Sequence, residues 1–139
     1  MKRLITHLGF LALLLTSTLC ADDLIIPWRG GVYSGQISDG VPNNEGTWRV
    51  PNVGVYVGGF KHGALHGFGM QEYVDGTRYA EEYKANSRTG QGWFMFGSGV
   101  FKGVSFIGEF KEDKFWNGKE FDRSFSQSAT YLDGLRQSD

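Results

Sequence analysis

Residues 56–76 read YVGGFKHGALHGFGMQEYVDG, and this stretch decides the fold. Its first five residues have counterparts that begin at Tyr33, Tyr79 and Phe106. The first three copies start 23 residues apart, and the fourth follows after 27 residues. A fixed short period indicates a fold in which one small unit stacks on the next, so that no unit is stable alone. Function is then expected on a face that the units share.

Each unit is predicted to form a two-stranded hairpin of short β-strands. Residues between the glycines alternate with period two, so that Tyr56 and Phe60 share one face of a strand and Val57 takes the other. Seven residues after the first aromatic comes Gly63, and Asn86 replaces it in the third unit. Asn is the usual substitute for Gly where a turn requires positive φ, so this position is expected at the hairpin turn.

Glycines also recur thirteen residues after the first aromatic, at Gly46, Gly69 and Gly92. A glycine inside a strand weakens it unless another group must approach closely. We therefore expect the large rings of one unit to lie over the bare glycine backbone of its neighbour, and this stacking to form the core. The dipeptide Asp75-Gly76 adds a strong hairpin signal between alternating segments.

Residues 56–76 resemble a MORN repeat, whose pattern is Tyr-x-Gly-x-aromatic, a glycine turn, Gly-x-Gly and a closing Asp-Gly. The resemblance extends over roughly residues 32–121, in units near 33–55, 56–78, 79–105 and 106–121. The third unit departs from the pattern because Glu81 replaces the early glycine. The resemblance implies an all-β fold, an elongated single-layer antiparallel sheet of stacked β-hairpins. It also implies roles in assembly or binding more often than in catalysis.

Residues 22–139 are predicted to form one domain, whose two ends extend the repeats. Residues 22–31 are expected to add an edge strand that caps the first unit. Residues 122–139 are expected to be a C-terminal cap or tail that contains a residual half-repeat. A short helix over 124–135 is the alternative for that segment.

Residues 1–21 have the three-part layout of a secretory signal peptide. A basic head precedes the apolar run Leu8–Leu15, and small residues suited to cleavage follow. The run is too short for a transmembrane span, and nothing later in the chain is apolar enough to be one. An extracytoplasmic protein, periplasmic or secreted, is therefore predicted. A lipoprotein anchored at Cys20 is the less favoured alternative, because Leu19 stands where a small residue should precede the cysteine.

Without that leader the chain carries twelve Lys and Arg against fifteen Asp and Glu, a net charge of about −3. A mildly acidic surface with no basic cluster is a poor match for nucleic acid or anionic lipid, so neither is predicted as a partner. Cys20 is the only cysteine, so no disulfide is expected in the mature chain. The predicted partners are another protein or an envelope polymer, and self-association is a further option.

His62 and His66 are four residues apart, a spacing that on a helix would suit a zinc ion. The glycines around them oppose a helix, so both are predicted to be turn histidines rather than metal ligands. No metal ion and no cofactor is predicted for this chain.

Acidic residues offer a second kind of candidate, because paired carboxylates carry out glycoside hydrolysis. Alternation places Glu81 and Glu82 on opposite faces, and their basic neighbours favour solvated charge at a strand edge. The other acidic candidates are Glu109, Glu112 and Asp113. Residues 97–99, Gly-Ser-Gly, are predicted to form a hairpin turn, since no Gly-x-Ser-x-Gly elbow occurs. No catalytic residue is predicted.

Trp48, Trp93 and Trp116, from the second halves of three units, are predicted with Tyr73 to line a binding face. The alternative is that these rings close a thin core. A single-layer sheet leaves an aromatic face that another surface can cover. The sequence therefore predicts an extracytoplasmic binding or scaffold protein without catalysis. A small hydrolase or carbohydrate-active protein of the cell envelope is the second option, and a structural, self-associating module is the third.

Overall fold

A computed structural model describes residues 23–138, which form one open antiparallel sheet of eleven strands and contain no helix that could span a membrane. The strands pair in chain order, each with its neighbours before and after it. They are β1 (Leu24–Trp28), β2 (Gly31–Ser38), β3 (Val41–Val50), β4 (Gly54–Lys61), β5 (Ala64–Tyr73), β6 (Arg78–Lys84), β7 (Ser87–Met95), β8 (Ser105–Lys111), β9 (Lys114–Phe121), β10 (Gln127–Leu132) and β11 (Leu135–Ser138). The predicted all-β sheet of stacked hairpins is confirmed. The predicted leader and Cys20 lie outside the described residues.

Two-residue turns close the hairpins along one edge of the sheet. In two of these turns φ is 50° and 76° for His62 and Gly63, and 50° and 72° for Ala85 and Asn86. Positive φ at both central residues defines a type I′ turn, whose twist matches that of the flanking strands. The predicted turn position of Gly63 and Asn86 is confirmed. His66 lies inside β5 because the turn is complete at Gly63, so its predicted location in a turn is wrong.

Several longer connections lie along the opposite edge. Between β5 and β6, Oδ1 of Asp75 accepts a hydrogen bond from the Thr77 amide at 2.8 Å, and Oδ2 accepts one from the Ser98 hydroxyl at 2.8 Å. The Asp75-Gly76 dipeptide is therefore in a turn, as predicted. Ser98 itself belongs to the connection 96–104 between β7 and β8, which is longer than the hairpin turn predicted there.

One face of the sheet carries a continuous row of large side chains, and we call it the aromatic face. The row crosses seven neighbouring strands at Tyr33, Trp48, Tyr56, Gln71, Tyr79, Phe94 and Phe106. Tyr56 makes edge-to-face contacts with Phe60 and Tyr83, at 5.2 and 5.4 Å between ring centroids. The hydrophobic core is therefore a strip of rings on one side of a single sheet.

Glycines give these rings their space. A Cβ atom at Gly69 would collide with the Tyr56 hydroxyl, and one at Gly46 would collide with the Tyr33 ring. The predicted stacking of rings on glycine backbone is present, but each of these rings covers a glycine of its own unit, not of the neighbouring unit. Gly46 and Gly69 lie on the second strand of the same hairpin as the ring that covers them, and that strand pairs directly with the ring's strand.

Strands extend the sheet beyond the repeats at both ends. β1 pairs with β2, in the segment predicted to supply an edge strand. At the other end β10 pairs with β9, and β11 pairs with β10. The alternative of a helix over 124–135 is wrong, because Asp133 and Gly134, with φ of 50° and 80°, form a tight turn between two strands.

Candidate functional site

A groove of about 1000 Å³ lies on the aromatic face and extends over the first three units. Its lining includes Trp48, Tyr73, Tyr79, Phe94 and Arg88. The row of large side chains supplies Trp48, Tyr79 and Phe94. Tyr73 lies on the same face, two residues after Gln71 of that row. In a two-layer fold a second sheet would cover such rings, whereas in this single sheet they border a groove.

The structure separates the aromatic residues that were predicted to share a binding face. Trp48 and Tyr73 both line the groove, and Nε1 of Trp48 donates a hydrogen bond to the Trp28 carbonyl at 2.9 Å. Trp93 lies on the opposite face, where it pairs with Ile107. Trp93 follows the first aromatic of its unit by 14 residues and Trp48 by 15, and a one-residue offset along a strand reverses the face. The prediction that Trp93 shares a face with Trp48 is therefore wrong.

Trp116 is also outside the groove lining. The Lys111 ammonium lies 4.2 Å from the centroid of the Trp116 ring, which packs against the turn at Gly134. Phe115 takes the place on the aromatic face and stacks on Phe106 with 4.2 Å between ring centroids. Of the four predicted residues, only Trp48 and Tyr73 come together, and their role in binding stays a prediction.

A chain of hydrogen bonds orders the polar side chains of the groove. The Tyr79 hydroxyl donates to Oε1 of Gln71 at 3.0 Å, and the Tyr73 hydroxyl donates to the Tyr79 oxygen at 2.9 Å. Burial raises the pKa of Tyr79 above its usual value, and the hydrogen bond with Tyr73 adds to the increase. Tyr79 therefore stays protonated at neutral pH and acts as a fixed donor to Gln71.

Arg88 places a positive charge among the rings of the groove. It takes the position, nine residues after the first aromatic, that Leu65 holds in the second unit. Its guanidinium carbon lies 5.1 Å from the centroid of the Tyr79 ring, a cation–π distance. Its Nε donates to Oδ1 of Asp113 at 3.0 Å, and its Nη2 donates to the Asp113 carbonyl at 2.8 Å. The turn before β9 thus holds the guanidinium over the aromatic face.

Glu81 is fully buried on the aromatic face, with 0% of its surface exposed. It stands where the other three units have a glycine two residues after the first aromatic. Within residues 23–138 neither carboxylate oxygen has a hydrogen-bond partner. Burial raises the pKa of Glu81 to about 8, with the Arg88 charge lowering it and the Asp113 charge raising it. The prediction of a solvated charge is wrong for Glu81, because its position in the strand alternation directs it into the core.

The other acidic residues that were considered as catalytic candidates are not buried without partners as Glu81 is. Glu82 is exposed, as alternation predicts, and Glu109 accepts a hydrogen bond from Asn117 at 2.9 Å. Glu112 lies in a tight turn with φ of 48°. Among residues 23–138 no group of three or more His, Cys, Asp or Glu is placed to hold a metal ion.

Arg88 was not among the predicted site residues and Glu81 was predicted to be solvated, although the sequence contains a signal for both. The third unit alone has a charged residue at two positions of the repeat, two and nine residues after its first aromatic. Each change puts a charged residue where the other units have a glycine or an apolar residue. Because both positions face the core strip, a pair of such departures in one unit marks a specialised place in the sheet.

Comparison with known proteins identifies the repeat. The family model for the MORN repeat matches residues 33–52, 56–78 and 82–101. Over 97 residues, 65% of its length, the chain is 32% identical to alsin of Rattus norvegicus and 31% identical to alsin of Mus musculus and of Homo sapiens. The chain spans only 6% of the length of these relatives. The similarity therefore concerns only a small part of each of these relatives.

Proposed function

We propose that this chain, which carries three MORN repeats, is a binding or scaffold protein that holds an extended segment of a partner protein in the groove of the aromatic face. The observation that carries the proposal is the ring-lined groove on a single-layer sheet. Its volume of about 1000 Å³ is at the upper end of the range for specific ligand sites. Trp48 and Tyr73 are the residues expected to make the central contacts.

The chemistry of the groove supports a polypeptide as the occupant. Tyrosine, tryptophan and arginine are the residue types that dominate the energetics of protein interfaces, and Tyr73, Trp48 and Arg88 border this groove together. Gln71 and the tyrosine hydroxyls supply hydrogen-bonding groups for a peptide backbone. Both signs of charge are present, since Asp113 also lines the groove. A polypeptide offers apolar, polar and charged groups in the same mixture.

A small hydrolase or carbohydrate-active protein is the second candidate, because aromatic rings stack on sugars and two aspartates, Asp75 and Asp113, line the groove. Hydrogen bonds from the Thr77 amide and the Ser98 side chain lower the pKa of Asp75. Asp113 is bound to Arg88 at 3.0 Å. A glycosidase needs one carboxyl group that stays protonated near neutral pH, whereas the hydrogen bonds on Asp75 favour its charged form and the Asp113 carboxylate is engaged by the Arg88 guanidinium. We therefore rank this candidate below the binding protein.

The setting of the protein is part of the proposal, and residues 1–21 support an extracytoplasmic location, periplasmic or secreted. We expect these residues to be absent from the protein isolated from cells that produce it naturally. Intact-mass spectrometry measures this directly. A full-length mass would argue against export, whereas an added diacylglycerol on Cys20 would indicate the lipoprotein alternative.

Removing the aromatic side chains of Trp48 and Tyr73 from the groove is expected to weaken partner binding. In the double variant Trp48→Ala, Tyr73→Ala, binding of linear peptides selected from a phage-displayed library should fall at least about tenfold, since each aromatic anchor of an interface contributes more than about 1 kcal/mol. Trp93→Ala is the matched control, because Trp93 lies on the opposite face. Isothermal titration measures affinity, and circular dichroism checks that each variant is folded.

Three outcomes would contradict the proposed site. Equal binding by the folded double variant would exclude the groove, and loss of binding in Trp93→Ala alone would move the site to the opposite face. If the library yields no binding peptide and the protein binds envelope polysaccharide, the carbohydrate-active candidate would be favoured.

A further inference from the structure

The first tyrosine of the third unit points in a different direction from its counterparts. In the first unit the Tyr33 hydroxyl donates to the Gln36 carbonyl at 2.7 Å, and in the second the Tyr56 hydroxyl donates to the Gly59 carbonyl at 3.0 Å. Each of these acceptors lies three residues further along the same strand. Tyr79 instead donates to the side chain of Gln71, on the preceding strand. The same residue at the same repeat position therefore has two orientations.

Glu81 explains the difference. In the first, second and fourth units the first aromatic ring occupies the space above the second-strand glycine, and in the fourth the Phe106 Cζ atom would lie 2.7 Å from a Cβ atom built at Gly118. In the third unit a Cβ atom at Gly92 would meet the Cβ atom of Glu81. The glutamate side chain thus takes the space that the ring of Tyr79 would otherwise fill.

The displaced ring, which is only 6% exposed, forms part of the floor of the groove. Tyr79 stacks on Phe94 with 5.7 Å between centroids and 14° between ring planes. Its ring lies 5.8 Å from that of Tyr73 and beneath the Arg88 guanidinium. These contacts hold Tyr79 among the groove-lining residues. A glycine at position 81 would remove the obstacle that keeps the ring there.

We propose that Glu81 is a positioning residue that keeps Tyr79 turned into the groove, and that the third unit thereby determines which polypeptides the groove accepts. This inference rests on the proposed function. Glu81 never touches the partner, because it is fully buried. It acts through the ring of Tyr79 and through the hydrogen bonds that this ring makes with Gln71 and Tyr73.

The proposal also gives a reason for an otherwise unfavourable residue. A buried carboxyl group without a hydrogen-bond partner destabilises a fold, whether it is neutral or charged. The other units have a glycine at this position and avoid that cost. Departures from a locally consistent sequence are expected at functional positions. Glu81 is such a departure, and its effect reaches the surface of the groove through Tyr79.

Two variants of the mature chain test this inference. Glu81→Gly frees the space above Gly92, so the Tyr79 ring should return to the orientation of Tyr56. Glu81→Gln is the matched control, since glutamine fills nearly the same volume and should keep the ring in the groove. Nuclear Overhauser contacts from the Tyr79 ring to Gly92 or to Phe94 distinguish the two orientations, with the Tyr56 to Gly69 contact as an internal reference.

Affinity and stability should change in opposite directions in Glu81→Gly. Peptides selected on the wild-type protein should bind Glu81→Gly about tenfold more weakly, because Tyr73 and Gln71 would lose the hydrogen bonds with Tyr79 that hold them in the groove. The same variant should melt at a higher temperature, because it no longer buries an unpaired carboxyl group. A purely structural role for Glu81 would not combine weaker binding with greater stability. Glu81→Ala provides the same readouts if the glycine variant does not fold.

The opposing outcomes are distinct. A Tyr79 ring that stays on Phe94 in Glu81→Gly would refute the positioning role. A ring that turns while the peptides bind unchanged would refute the role in specificity, with the groove itself still valid if Trp48 and Tyr73 are needed for binding. Independence of binding from Trp48 and Tyr73 would instead contradict the proposed function.

Discussion

Replacing Gly69 with valine is expected to lower the free energy of unfolding by about 3 kcal/mol, the upper part of the range for overpacking a core. A Cβ atom at Gly69 would collide with the hydroxyl of Tyr56, which is 1% exposed and hydrogen-bonded to the Gly59 carbonyl. The ring cannot move aside without losing that bond and its contacts with Phe60 and Tyr83. Urea unfolding followed by circular dichroism measures the change.

A pair of asparagine variants separates this collision from the general cost of replacing a glycine. In the described part of the chain nothing lies within 4 Å of a Cβ atom built at Gly40, and the φ of 78° there suits asparagine. Asn86 already occupies the equivalent turn position in the third unit. Gly40→Asn should therefore be nearly neutral, whereas Gly69→Asn should destabilise strongly. Equal effects of the two changes would mean that the ring does not depend on Gly69 for its space.

Raising the pH from about 5 to about 8 is expected to destabilise the wild-type protein relative to Glu81→Gln by at most about 1.4 kcal/mol per pH unit. The pKa of Glu81 is about 8 in the folded protein, against an ordinary value of 4.5. Between these values the folded protein keeps a proton that the unfolded chain has released. Unfolding then releases that proton, so it becomes more favourable as the pH rises. The contribution of Glu81 is most favourable below about pH 4.5 and is lost by about pH 8.

The comparison with Glu81→Gln isolates one group, because every other titratable residue is common to both proteins. Those that interact electrostatically with Glu81 are Arg88, Asp113 and Tyr83. Urea midpoints at several pH values between 5 and 8 give the difference in stability. Parallel curves for the two proteins would show that Glu81 does not hold a proton in the folded state.

The sequence was sufficient to predict the fold because the signal was repeated. Gly63 alone is weak evidence for a turn. Asn86 at the same place in the next unit shows that this position needs positive φ rather than a small side chain. The structure has φ of 76° and 72° at these residues. The glycines beneath the rings were predictable on the same ground, since Gly69 and its counterparts recur at a fixed distance from each first aromatic.

The site was harder to predict because the face on which a side chain lies changes with every one-residue shift in its position within the repeat. Trp48 and Trp93 look equivalent by eye, but their offsets in the repeat differ by one, and this places them on opposite faces. Glu81 was misjudged for a different reason. Its basic sequence neighbours suggested exposure, whereas burial is decided by the glycine position that it replaces. In a repeat protein, a residue that departs from the repeat pattern at one position says more about burial than the composition of the sequence around it.

The strands lie in the sheet in the same order as in the chain, and this affects how the protein folds during synthesis and how it unfolds under force. Every strand pairs with the strands that directly precede and follow it, from β1 to β11. Pairing therefore requires only short loops to close, which favours rapid folding for a β protein. A nascent chain can add each strand to the completed edge as it emerges, without waiting for a distant segment. A pulling force on the two ends would act first on β1 and β11, and the sheet would open from both edges inward, one strand at a time.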